Sequence, residues 1–135
     1  MALIQWDRKY SVGVKALDDQ HTILFDLMNE LHDAMLKGKA HSLTSPILRK
    51  LLEYATEHFS TEEEILATAQ FPGLADHRIK HEELLSQIND YTARLERGEI
   101  TINIHLMEFM RDWLTNHLMK VDQEYSFWLH DHGVQ

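Results

Sequence analysis

Side chains of metal-ligand type recur along this chain at spacings that suit helices. Five are histidines and two are carboxylates: His21, His58, Glu62, His77, His81, His117 and Asp122. Imidazole and carboxylate together suit iron among several transition metals. The chain has no cysteine, which excludes disulfides, zinc fingers and iron–sulfur clusters. Any metal site must therefore be built from His, Asp and Glu.

The number of donors fits two six-coordinate ions. Two octahedral ions offer about twelve coordination positions. Five imidazoles, two bridging carboxylates and one solvent-derived oxo or hydroxo bridge fill all of these except about one. We therefore predict two iron ions with an oxo or hydroxo bridge and an open position where a small molecule such as dioxygen binds directly to metal.

Four helices must position these donors. Apolar residues recur every three or four positions in four stretches. The predicted helices span about 18–37, 46–67, 74–97 and 103–130. Asp18 or Asp19 is expected to cap the first helix, and Ser45 followed by Pro46 to start the second. Short connections between long amphipathic helices predict an all-α fold, an up-down-up-down four-helix bundle.

The N-terminal segment shows no helical repeat. Residues 1–16 contain aromatic side chains, among them Trp6 and Tyr10. We interpret this segment as an ordered arm that packs on the bundle, which would occupy residues 17–130. At 135 residues, the chain is predicted to form one domain, residues 1–135.

The helical spacing of the donors supports a shared site. Residues four apart lie on one face of a helix, so His58 pairs with Glu62, and His77 with His81. His117 and Asp122 are five apart, which separates them by about 140° on an ideal helix. Either these two approach the site from its flanks, or a π-bulge realigns them.

The position of the donors along the bundle axis is a stronger test of a shared site. One end of an up-down-up-down bundle gathers the starts of helices one and three and the ends of helices two and four. All seven donors fall at that end. Scattered histidines would have no reason to converge there, and buried polar side chains without a role are rare.

Charge excludes several classes of partner. The chain has 22 acidic and 13 basic residues and a net charge of −9, with no clustered basic face for nucleic acid. This charge also disfavours an anionic membrane surface. No signal peptide or transmembrane run is visible in the sequence, so a cytoplasmic protein is expected.

The donor types favour ligand binding over oxidation chemistry. Ferritin-like and related di-iron bundles use several Glu residues and paired Glu-x-x-His motifs. This chain has no Glu-x-x-His motif. Because fewer anionic ligands stabilise high-valent iron less, reversible dioxygen binding without O–O cleavage follows as a hypothesis.

Four motifs resemble the hemerythrin family, in particular its stand-alone bacterial members, the bacteriohemerythrins. They are Leu17-Asp18-Asp19-Gln20-His21, His58-Phe59-Ser60-Thr61-Glu62-Glu63, His77-Arg78-Ile79-Lys80-His81, and the stretch from Trp113 through His117 to Asp122. The resemblance covers nearly the whole chain. It implies that His77, His81 and His117 hold one iron, that His21 and His58 hold the other, and that Glu62 and Asp122 bridge both.

The resemblance implies an oxygen carrier, store or donor to an oxygen-consuming enzyme, not itself an enzyme and by default a monomer. One alternative is a di-iron enzyme that reduces nitric oxide or peroxide or repairs iron centres, which a fused repair or electron-transfer domain would support. The other is an oxygen or iron sensor, usually fused to a signalling module.

Some residues near the donors receive more specific expectations. Six apolar side chains are candidates for the wall of an oxygen pocket, with Trp113 and Leu118 preferred: Leu24, Phe25, Phe59, Trp113, Leu114 and Leu118. Glu63 and Glu64 are expected to be solvated surface. The five other histidines are expected to have no metal role: His32, His41, His105, His130 and His132.

Overall fold

The protein is an all-α bundle. A computed structural model describes residues 3–38, 41–99 and 104–134, and this part of the chain contains no strand. The helices are α1 (Lys15–Leu36), α2 (His41–Thr68), α3 (Leu74–Glu96), α4 (Ile104–Asn116) and α5 (Asp122–Asp131). A single turn of π-helix, His117–Val121, joins α4 to α5. Since the backbone stays helical at both junctions, α4, the π turn and α5 form the fourth helix of the bundle.

The predicted helices are confirmed, but two predicted helix starts are wrong. Helix α2 begins at His41, so Pro46 lies inside it rather than at its first position. Pro46 is in the second turn, where its missing N–H removes one hydrogen bond, to the carbonyl four residues earlier. A short N-terminal extension of the helix is compatible with that single loss.

The start of α1 also differs from the expectation. Val14 occupies the N-cap position and Asp18 lies in the first turn. The Asp18 carboxylate accepts hydrogen bonds from the Val12 N–H at 2.9 Å and the Ser11 hydroxyl at 2.6 Å. Asp19 pairs with Lys15 at the surface. Asp18 therefore joins the arm to the helix instead of capping it.

The N-terminal arm packs on the bundle, as predicted. The Trp6 and Tyr10 rings lie 5.5 and 5.3 Å from the Phe25 ring, each edge to face. The Ser126 hydroxyl donates to the Val12 carbonyl at 2.8 Å. The arm is thus tied to both the first and the fourth helices.

Two apolar clusters fill the interior. The larger runs from the distant ends of the helices to the metal-ligand side chains and includes Leu31, Leu48, Leu95 and Leu106. The smaller closes the opposite end with six buried side chains: Val12, Val14, Leu17, Leu66, Tyr125 and Leu129. The donors therefore lie between two apolar layers. No helix in the described ranges combines the length and apolarity needed to cross a bilayer.

Candidate metal centre

The structure brings all seven predicted donors together at one end of the bundle. Each is at most 5% exposed. All five imidazoles present Nε2 to one or both of the carboxylates, Glu62 and Asp122. Helices α1, α2 and α3 and the π turn with α5 each contribute at least one donor.

The Glu62 carboxylate divides its two oxygens between two groups of histidines. Oε2 lies 3.5 Å from His21 Nε2 and 3.2 Å from His58 Nε2. Oε1 lies 3.2 Å from His81 Nε2 and also contacts His77 Nε2. One carboxylate therefore faces both groups with different atoms, which is the arrangement a bridging ligand needs.

Asp122 divides its oxygens in the same way. Oδ1 lies 2.9 Å from His117 Nε2 and 3.4 Å from His77 Nε2, whereas Oδ2 lies 3.7 Å from His21 Nε2. The histidines thus form two groups, His21 with His58, and His77 with His81 and His117. Glu62 completes a cluster of potential metal ligands with each group.

The π turn explains how Asp122 reaches the site. The Asp122 N–H donates to the His117 carbonyl five residues earlier, the hydrogen bond that defines a π-helix. A wider turn places a residue at i+5 above residue i, whereas an α-helix would rotate it about 140° away. Of the two arrangements left open by the sequence, the π-bulge is the one found.

Several buried polar atoms at the site lack a hydrogen bond. They are His21 Nδ1, His81 Nε2, His117 Nε2 and both carboxylate oxygens of Asp122, none of which has a hydrogen-bond partner within the described ranges. The two Nε2 atoms lie close enough to carboxylates for ion pairs but without hydrogen-bond geometry. Unsatisfied buried groups are costly and rare. A cation between these atoms would satisfy nearly all of them, so the donor set fits a metal.

The two carboxylates differ in protonation. Burial would raise the pKa of Glu62, but the ring nitrogens of four histidines close around its carboxylate outweigh burial and hold that pKa well below its usual range. Burial, together with the negative charge of Glu62, raises the pKa of Asp122 well above its usual range. A metal ion of charge +2 or more would remove the conflict between these two buried acids.

Burial also acts on the imidazoles. It lowers the pKa of His117 to about 3 and lowers that of His81. Burial opposes protonation of His77 too, but its hydrogen bond with Glu62 prevails and raises the pKa. Neutral imidazole is the form that binds metal, so two of the five candidate histidines are already held in that form.

Three residues around the donors were not predicted. Glu63, expected to be solvated surface, instead contacts His81 and Arg78. Gln20 contacts His58, and the buried Tyr125 hydroxyl donates to Glu62 Oε2 at 3.2 Å. The sequence signal that could have drawn attention to Glu63 and Gln20 is their position directly beside a donor, about 100° from it round the helix.

An apolar cavity of about 30 Å³ lies next to the site, lined entirely by apolar side chains. Two of its walls stack on donors: Phe59 on His81 at 3.8 Å, and Trp113 on His117 at 4.4 Å. Four of the six pocket candidates line it: Leu24, Phe59, Trp113 and Leu114. Phe25 instead packs against the arm. Leu118 is fully buried in the π turn, away from the lining.

Comparisons with known proteins agree with this geometry. The profile of the hemerythrin HHE cation-binding domain matches residues 12–129. A bacteriohemerythrin from Methylococcus capsulatus is 33% identical over 93% of this chain and 96% of its own length. One from Stenotrophomonas maltophilia is 29% identical over 93% of this chain and 81% of its own. A crystal structure of wild-type hemerythrin, 33% identical, superposes with a TM-score of 0.90 over 95% of this chain and 98% of that one.

Proposed function

The chain belongs to the hemerythrin family, and we propose that it binds dioxygen reversibly at a non-haem di-iron centre, for oxygen carriage, storage or delivery. The observation that carries this proposal is the division of the two carboxylates between two histidine groups. Each of Glu62 and Asp122 faces one group with one oxygen and the other group with its second oxygen.

In the proposed centre His77, His81 and His117 hold one iron, and His21 and His58 hold the other. Glu62 and Asp122 would bind both ions, and an oxo or hydroxo group would complete the centre. When bound, two ferrous ions supply the electrons and the open coordination position that reversible dioxygen binding requires. The protein side chains supply the geometry and keep the carboxylates at the midpoint between the two groups.

The cavity beside the site supports binding rather than reduction of dioxygen. The side chains that line the adjoining cavity are all apolar, and within the described residues none of them can donate a proton in acid–base chemistry. Reducing dioxygen or peroxide to water consumes protons. Phe59 and Trp113, which stack on His81 and His117, therefore separate the site from water without offering an acid.

The relatives carry the name bacteriohemerythrin, in line with a binding protein. A cytoplasmic location, a monomeric state and an oxygen-consuming enzyme as recipient stay predictions from the sequence.

An anaerobic optical titration tests the proposal. The protein is loaded with ferrous iron, its iron content is measured, dioxygen is added, and the solution is then flushed with argon. We expect two irons per chain and a visible absorption band that appears with dioxygen and disappears under argon. Irreversible oxidation by dioxygen, with nitric oxide or peroxide consumed over many turnovers, would replace the carrier with an enzyme.

A matched pair of variants assigns the signal to the site. His58→Ala removes one proposed ligand and should abolish the reversible band. His130→Ala removes an exposed histidine far along α5 and should leave it unchanged.

A further inference from the structure

Glu63 joins two helices beside the proposed metal centre. Its Oε2 accepts a hydrogen bond from His81 Nδ1 at 3.2 Å, and its Oε1 accepts one from Arg78 Nε at 3.1 Å. The Glu63 side chain is 22% exposed, whereas its neighbour Glu64 is exposed. Glu63 thus holds the outer nitrogen of a histidine whose inner nitrogen faces Glu62.

The other histidine group has a different outer partner. Gln20 Oε1 accepts a hydrogen bond from His58 Nδ1 at 2.6 Å. Both acceptors place the proton on Nδ1 and leave the Nε2 lone pair directed inward. The difference between them is charge, because the acceptor of His81 is a carboxylate and the acceptor of His58 is a neutral amide.

The other histidine in the group of His58 does not reduce this difference in charge. His21 Nδ1 is buried and has no hydrogen-bond partner among the residues that the structure describes. The group of His21 and His58 therefore has a neutral outer shell, whereas the group of His77, His81 and His117 includes one anionic partner.

A carboxylate that accepts the outer N–H of an imidazole increases the electron density on the ring. The inner nitrogen then becomes a stronger donor to a cation, and the higher oxidation state of a bound metal is stabilised. Arg78 shares the Glu63 carboxylate and weakens this effect, but Arg78 is half exposed and its charge is screened by solvent. The net effect is greater on His81 than on His58.

We propose that Glu63 is a positioning residue that increases the inequality of the two iron sites beyond the difference between three and two histidine ligands. Through His81 it strengthens the site of His77, His81 and His117 relative to the site of His21 and His58. The first site binds ferrous iron more tightly and is oxidised more readily. This inference rests on the proposed di-iron function.

The test compares Glu63→Gln with Glu64→Gln on the full chain. Glutamine keeps a hydrogen-bond acceptor beside His81 and removes only the charge, and Glu64 provides an exposed control one residue away. Anaerobic titration of each apoprotein with ferrous iron, in competition with a coloured chelator, gives two dissociation constants. In Glu63→Gln we expect the smaller constant to rise about 10- to 100-fold and the larger to stay unchanged. Glu64→Gln should match the wild type.

A converse variant separates charge from damage to the fold. Gln20→Glu places a carboxylate on His58 and should lower the larger dissociation constant, which a merely structural role for this position would not do. In a stepwise redox titration of the iron-loaded protein, Glu63→Gln should bring the two oxidation steps closer together. Gln20→Glu should also bring them closer, by shifting the other step.

The outcomes are distinguishable. If the wild type binds no second ferrous ion, the proposed function and this inference both fail before any variant is compared. If the wild type binds two ions but Glu63→Gln has the same constants as Glu64→Gln, or weakens both ions equally, Glu63 does not contribute to the inequality and the inference alone is overturned.

Discussion

The two ends of the bundle are built on different principles. Around Leu31, Leu48 and Leu95 the interior is apolar, with each of these side chains at most 1% exposed. Around Glu62 and Asp122 the interior is equally dry but contains seven ionisable side chains, several of whose polar atoms lack hydrogen bonds. The first arrangement stabilises the fold by itself. The second is costly until a cation satisfies the unbonded polar atoms. We therefore interpret the end that contains the donors, the metal end, as a binding site, and the apolar end as the part of the fold that supports it.

The largest expected effect is that of metal on the stability of the whole chain. A ligand that binds only the folded state adds about 4 kcal/mol to the free energy of unfolding when its free concentration is a thousand times its Kd. Two ferrous ions should therefore add up to about twice that value. Urea denaturation of the apoprotein and of the iron-loaded protein, both without oxygen, measures the difference. A chelator should reverse the gain, and equal curves would show that the buried donors do not bind metal.

The next effect is confined to the metal end. Asp122→Asn replaces a buried acid whose pKa is raised well above its usual range by burial and by Glu62, so the neutral amide resembles the protonated side chain. We expect the stability of the apoprotein to change by less than about 1 kcal/mol. The gain on adding iron should fall by about 4 kcal/mol, since one of the two proposed bridging ligands is lost.

Asp112→Asn is the matched control for this variant. Asp112 is exposed on α4, and its carboxylate bonds to the neighbouring Arg111. It should leave both the apoprotein and the iron-dependent gain unchanged. A large loss of apoprotein stability in Asp122→Asn would mean that this carboxylate supports the fold as well as the metal.

A substitution at the apolar end should lower the stability of the fold without changing the gain from iron. Leu31→Ala removes a fully buried side chain about 15 Å along α1 from His21. We expect a loss of about 3 kcal/mol, typical of a large-to-small change in a core. Because the two regions are distant, the loss should be the same with and without iron. Unequal losses would show that the packing of the apolar end is coupled to the metal centre.

The same division explains how much of the molecule could be predicted from the sequence. At the apolar end the helical repeat of leucines is the cause of the fold, so the four helices were predictable. Local end signals were weaker, because α2 begins at His41 although Ser45 and Pro46 predict a later start. The convergence of the donors followed from the topology alone, because each lies at the appropriate end of its helix.

The surroundings of the donors were harder to predict. Whether a residue beside a donor faces water or a neighbouring helix depends on how the helices cross, which the repeat does not encode. Glu63 was therefore misplaced on the solvated surface although it bonds to His81. Leu118 was chosen for its closeness to His117 in the fourth helix, and it is buried in the π turn but is not among the residues that line the cavity. The π turn is defined by a hydrogen bond between backbone groups five residues apart, which an apolar repeat does not encode.

The smallest effect concerns the buried hydroxyl that links the metal end to the closing apolar cluster. Tyr125→Phe removes the hydrogen bond to Glu62 Oε2 and keeps the ring that packs on His77 and Phe71. In the apoprotein the lost bond to a carboxylate should cost about 1.5 kcal/mol. With iron bound the cost should be smaller, because the proposed metal ligation also satisfies that oxygen.

Tyr10→Phe, the same change in the larger apolar cluster, should cost equal amounts in both forms. Denaturation of both variants with and without iron measures this. An equal cost for Tyr125→Phe in both forms would show that its hydroxyl supports the fold and is not part of the metal centre.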